Sequence, residues 1–156
     1  MEYRPLRPDE TGLLELATLG NMNWCGERMS LDEVLSLPDC AHYTRIVPER
    51  GDFGVVAEDG DAVGVAWAVF LPETDAGYGF IDEATPELSL WVAEPNRGRG
   101  VGRALLRSLL DEARARGIAR VSLSVEEGNY AKRLYLSEGF ADVPGRESGG
   151  VMLCTL

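Results

Sequence analysis

Two hydrophobic periodicities divide the chain. Apolar residues recur with helical spacing at Leu13, Leu14, Leu16, Ala17 and Leu19, which predicts a helix capped by Asp9 and stopped by Gly20. Ser30 and Glu33 have capping-box spacing, and Val34, Leu35 and Leu37 follow before Pro38 ends that short helix. The clearest helix covers 101–116, where Val101, Ala104, Leu105, Leu109 and Ala113 share one face, charges take the other, and Gly117 closes it. A further amphipathic helix is expected over 129–137. Strand-like runs occupy 2–7, 87–93, 121–125, 140–143 and 151–156. Runs 53–57 and 62–71 flank a turn at 58–61 that contains Asp-Gly, so they read as a hairpin. The order is strand, two helices, several strands, then strand–helix–strand–helix–strand–strand. It implies one sheet, antiparallel in its first half, with helices on its faces.

At 156 residues, with 45% hydrophobic and 26% charged residues, the chain suits a single domain (1–156) with a substantial core. A net charge of −11 argues against nucleic acid as a partner. Three scattered cysteines, no CxxC pair and one histidine (His42) point to no metal and no disulfide framework; reduced thiols fit a cytoplasmic setting. The charged N-terminal residues do not read as a signal peptide. The longest uncharged apolar stretch, 62–71, is about half of what a membrane span needs, so no membrane partner is expected.

Against this acidic background one segment is basic. The strand over 87–93 runs into Arg97-Gly98-Arg99-Gly100-Val101-Gly102-Arg103 at the start of the long helix. Glycines let backbone amides approach a ligand closely, the first helical turn leaves its N–H groups unpaired, and the helix dipole adds positive potential. Three arginines add full charges. The segment is therefore a candidate phosphate or diphosphate cradle. It is not a Walker loop, because Gly102-Arg103-Ala104 stands where Gly-Lys-Ser/Thr is required. Nor is it a dinucleotide fingerprint, because Arg103 occupies a position that needs Gly or Ala.

The turn resembles the Arg/Gln-x-x-Gly-x-Gly/Ala signature of the GCN5-related N-acetyltransferases (GNAT), matched by Arg97, Gly100 and Gly102. An apolar strand ending Val92-Ala-Glu-Pro95 precedes it, as in that family. A second block similar to the family's follows, with Asn129, Ala131, Leu134, Tyr135, Gly139 and Phe140 in register. The opening strand and helix also look like the family's. The fold implied is α/β (α+β): a mixed, mostly antiparallel sheet of about six to seven strands flanked by about four helices.

The resemblance implies an acetyl-CoA-dependent N-acetyltransferase, with acetyl-CoA as cosubstrate and direct transfer to a small-molecule or peptide amine. Gly98, Arg99, Gly100, Val101, Gly102 and Arg103, with Arg97, would hold the pyrophosphate. Leu90, Trp91 and Val92 would pair with the pantetheine arm, and a nearby amide would polarise the thioester carbonyl. Asn129 sits where the family contacts pantetheine, and it equally suits a helix cap. Tyr135 matches the general acid that protonates the departing thiolate. In the ribosomal-protein acetyltransferase branch a Glu lies five residues before the block's Asn; here that position is Ser124. Glu87 is the candidate base, an ordered water the other choice, and Glu126 and Glu127 are expected to be solvated. The acceptor is expected between loops 20–29 and 72–85, walled by Trp24, Tyr78 and Phe80, with Glu27, Asp75, Asp82 and Glu83 drawing in a cationic amine. A non-catalytic acyl-CoA sensor is the alternative function, and family habit allows a homodimer.

Overall fold

A computed structural model describes residues 1–156. Seven strands form one sheet in the order β1-β2-β3-β4-β5-β7-β6. They are β1 (Glu2–Pro5), β2 (Phe53–Asp59), β3 (Asp61–Val69), β4 (Glu87–Val92), β5 (Arg120–Ser124), β6 (Ala141–Asp142) and β7 (Val151–Thr155). Five helices accompany them: α1 (Thr11–Met22), α2 (Leu31–Ser36), α3 (Pro38–Ala41), α4 (Val101–Ala115) and α5 (Ala131–Ser137). All neighbouring strands are antiparallel except β4 and β5, which are parallel.

Side chains alternate across the sheet, so the two strands of the hairpin feed two cores. Val56, Val65, Trp67 and Val69 face α1 and pack with Leu14 and Ala17. Ala57, Ala66 and Ala68 face the other way, against Leu105, Leu106 and Leu109 of α4. Burying the apolar stripe of α4 is what turns its sequence periodicity into a fixed helix position.

The boundaries differ from the sequence expectation for local reasons. The Asp9 carboxylate is exposed and does not cap α1. Glu10 holds the turn instead, accepting from the Arg7 amide at 2.8 Å and from Arg4 Nη2 at 2.6 Å. Helix α1 continues past Gly20 to Met22 because Gly20 leaves room for the Trp91 indole to lie against it. Strand β2 runs on to Asp59 past a bulge at Ala57/Glu58. Strand β3 stops at Val69, since the Phe70 amide donates to Asp52 at 2.8 Å rather than to the ladder. The capping box at Ser30 and Glu33 forms as expected. A fifth helix, α3, starts on Pro38, a residue suited to the first helical turn.

Candidate active site

Strands β4 and β5 touch at one register pair, Glu87 opposite Ser122, and then diverge. One edge of β4 remains paired with β3 as far as Val92, while the edge facing β5 is left free. A free strand edge is a row of unpaired amides and carbonyls that can take an extended partner. The divergence opens a cleft of about 860 Å³ between α1, the two strands and the starts of α4 and α5.

At one end lies the glycine turn. Gly98 and Gly100 adopt φ of +74° and +81°, a left-handed conformation that favours glycine. Gly100 caps α4 and has no side chain with which to do so. A Ser or Asp there would satisfy the first-turn amides itself; here the first helical bond is Ala104 N–H to Gly100 O. The amides of Gly98 through Arg103 donate to no carbonyl, so they form an open nest facing the cleft. The arginines contribute less than their number suggests. Arg103 donates to Glu138 at 2.6 Å, and Arg107 holds the other oxygen of that carboxylate at 2.6 Å. These guanidinium groups keep Glu138 below the usual carboxylate range and neutralise much of Arg103. Arg97 Nε is tied to Val92 O at 2.9 Å, which keeps its cation beside the cleft.

At the other end is Glu87, buried and 5% exposed. Its Oε2 accepts from the Tyr43 hydroxyl at 2.5 Å, and its Oε1 has no hydrogen-bond partner. Burial, opposed by Tyr43, the Gly79 amide and Arg146, pushes its carboxyl up to about 7. A carboxylate poised there can exchange a proton near neutral pH. The segment Gly77-Tyr78-Gly79 closes this end. A Cβ on Gly77 would overlap Glu87 Oε1 and Tyr43 Oη, and one on Gly79 would lie 2.7 Å from the Leu123 backbone carbon. Tyr135, on α5, occupies the wall between the two ends, with its ring 5.9 Å from that of Phe140, edge to face. Burial alone pushes its phenol up, so it keeps its proton at neutral pH.

The acetyltransferase (GNAT) family model matches residues 21–140, which span the nest, the splayed strands and Tyr135. The chain belongs to the acetyltransferase (GNAT) family. Mycothiol acetyltransferase of Beutenbergia cavernae is 38% identical over 99 residues, which cover 62% of this GNAT chain and 31% of that relative. Less than a third of the relative is thus represented. Ribosomal-protein-alanine N-acetyltransferase from Brucella melitensis superposes over 100% of both chains with a TM-score of 0.66 at 25% identity. PaiA N-acetyltransferase from Thermoplasma acidophilum, solved in complex with coenzyme A, covers 100% of both chains with a TM-score of 0.67 at 16% identity, and shows the same fold.

In this GNAT member most sequence-predicted positions converge. Leu90, Trp91, Val92, Arg97, Gly98, Gly100, Gly102, Arg103 and Asn129 line the cleft, as do Glu87, Tyr135, Trp24 and Tyr78. Asn129 also serves as a local cap, its Oδ1 accepting from the Ala131 amide at 3.0 Å. Three residues do not line it. Val101 turns its side chain into the core, Arg99 stands in solvent, and Phe80 is turned away from the cleft wall. The loop acids are also elsewhere: Asp75 pairs with His42, Asp82 with Arg120, and Glu83 accepts from the Glu73 amide. Glu126 is not simply solvated, because Arg28 grips both its oxygens, at 2.7 and 3.1 Å, and holds it below the usual carboxylate range. That pair ties the loop after α1 to the end of β5 across the cleft mouth. Ser124 donates to Gly149 O at 2.9 Å and supplies no base. No three His, Cys, Asp or Glu side chains gather into a metal-binding group, and no helix is long and apolar enough to cross a membrane.

Sequence reasoning missed Tyr43 and Arg28. Tyr43 lies 44 positions from Glu87, and Arg28 lies 98 from Glu126. No spacing rule connects residues that distant.

Proposed function

We propose that residues 1–156 act as one catalytic domain that moves the acetyl group of acetyl-CoA directly to a primary amine. The observation that carries this is the open nest at 98–103 sharing one cleft with a proton acceptor, Glu87, and a proton donor, Tyr135. The nest amides suit a pyrophosphate, and the free edge of β4 at Leu90, Trp91 and Val92 suits the amide-bearing pantetheine arm. When bound, acetyl-CoA supplies an activated acyl carbon whose C–S bond breaks as a C–N bond to the amine forms.

The protein's own part is proton management and orientation. An amine is mostly protonated at pH 7, and only the free base attacks, so Glu87 takes a proton from it. Tyr135 gives its hydroxyl proton to the leaving sulfur, which departs as a thiol. Its apolar surroundings keep that proton in place until sulfur develops charge. Unpaired amides aimed at the acyl oxygen would stabilise charge there without reorganising. The acceptor is an amine of a small molecule or a peptide, and none of the carboxylates of loops 20–29 and 72–85 lines the cleft to contact it.

Incubation with acetyl-CoA and a panel of amino acids, peptides, polyamines and aminoglycosides, read by mass spectrometry, tests the assignment. An acetylated amine is the expected product. Coenzyme binding with no product from any acceptor would turn the reading to a non-catalytic acyl-CoA sensor. In the active protein, Tyr135→Phe is expected to lower turnover by about 10²-fold with coenzyme A affinity unchanged by calorimetry. A full rate in that variant would remove Tyr135 from the mechanism.

A further inference from the structure

We infer that Tyr43 is a positioning residue for Glu87: its hydroxyl restrains one carboxylate oxygen and sets how readily the carboxyl gives up its proton. The inference rests on the reading of Glu87 as the base.

A tyrosine hydroxyl has one proton to give. Here it is committed to Glu87 Oε2 at 2.5 Å, while the lone-pair side of the Tyr43 hydroxyl oxygen accepts the Tyr78 amide at 2.9 Å. The donor direction is therefore set by the backbone of the closing segment. The ring cannot swing away either. His42 abuts it edge-on at 4.4 Å, Tyr78 stacks at 6.3 Å, and the fully buried Trp67 donates its indole N–H to the Tyr43 carbonyl at 2.9 Å. Glu87 Oε1, by contrast, has no partner, and the missing side chain of Gly77 makes the space it occupies. The carboxylate thus has one oxygen restrained by a short hydrogen bond and one buried against the closing segment without such a bond.

The arrangement also decides the charge state. Burial favours the neutral acid, and a donated O–H favours the anion. Few other groups reach Glu87. Arg146 approaches from the connection between β6 and β7, and the Gly79 amide from the closing segment. His42, paired with Asp75 at 3.0 Å, stands behind the Tyr43 ring. Opposite on β5 is the neutral Ser122, and on β3 the apolar Val69. Removing the Tyr43 hydroxyl leaves burial largely unopposed, so the carboxyl keeps its proton to higher pH.

Tyr43→Phe retains the ring and its packing. The acidic limb of kcat/KM is expected to move about one pH unit upward, with kcat/KM about fivefold lower at pH 7 and most of it recovered by pH 9. The KM for acetyl-CoA should stay within about twofold, because the nest is untouched. In a Glu87→Gln background the same change should cost nothing further. A purely structural Tyr43 would lower the rate equally at every pH, and that result overturns the inference. Carbon-13 NMR of the Glu87 carboxyl gives the midpoint without turnover, and an unchanged midpoint in Tyr43→Phe also overturns it. A shifted midpoint together with full activity in Glu87→Gln would instead remove Glu87 as base and leave its coupling to Tyr43 intact. Should the Phe variant not fold, proton NMR of the unsubstituted protein decides. A far-downfield hydroxyl proton that responds to Glu87 titration supports the bond, and its absence refutes it.

Discussion

Glu87→Gln is expected to lose about 10²- to 10³-fold in kcat/KM while becoming more stable at pH 8 than the unsubstituted protein. The loss follows from removing the only carboxylate in the cleft without a cationic partner; Glu126, the other one lining it, is held by Arg28. The gain follows from burial. A carboxyl pushed from 4.5 to about 7 in the folded state binds a proton more tightly there than in the unfolded chain. Such a group contributes fully to stability below the unfolded value, and the contribution disappears as pH rises through about 7. Gln carries no charge to bury, so the variant escapes that decline. The difference in melting temperature should be small at pH 5 and clear at pH 8, corresponding to on the order of 2 kcal/mol. Thermal unfolding at the two pH values, beside the rate, checks both halves. A variant destabilised equally at both would show that Glu87 is held as a permanent anion.

Gly102→Glu should abolish coenzyme binding without harming the fold. Gly102 does not adopt a positive φ, and a Cβ there meets Leu134 and Val92 at 3.7 Å, an ordinary contact. A glutamate in the first turn of α4 even suits the helix dipole. Its carboxylate would nevertheless stand among the open amides and beside Arg97, in the space proposed for the pyrophosphate. Affinity for coenzyme A should fall by more than about 10²-fold, or about 3 kcal/mol, with the melting temperature nearly unchanged. Undiminished heat of binding in the calorimeter would place the phosphates elsewhere. Gly100→Glu is a poorer test, because φ of +81° adds backbone strain to the charge effect.

Helices and strands were legible wherever a single face is buried, because period is a local property of sequence. The stripe of α4 and the alternation in the β2–β3 hairpin belong to this class. Boundaries were less legible where a side chain from elsewhere sets them, as Asp52 does for β3 and Trp91 for α1. The nest was readable for a related reason: three alternating glycines at a strand-to-helix turn imply open amides whatever lies around them. The weight of the arginines was not readable, since Glu138, 35 residues from Arg103, cancels a charge that the composition counts in full.

What the sequence determined by itself is thus the set of repeating elements, the amide nest and the family to which its two spaced blocks belong. The tertiary structure alone decided which acids share the cleft and with what partners. It buried Glu87 against Tyr43, paired Glu126 with Arg28, and left the loop carboxylates outside the cleft. Proton affinity depends on the solvent and charges within a few ångströms, and folding brings those neighbours from distant parts of the chain.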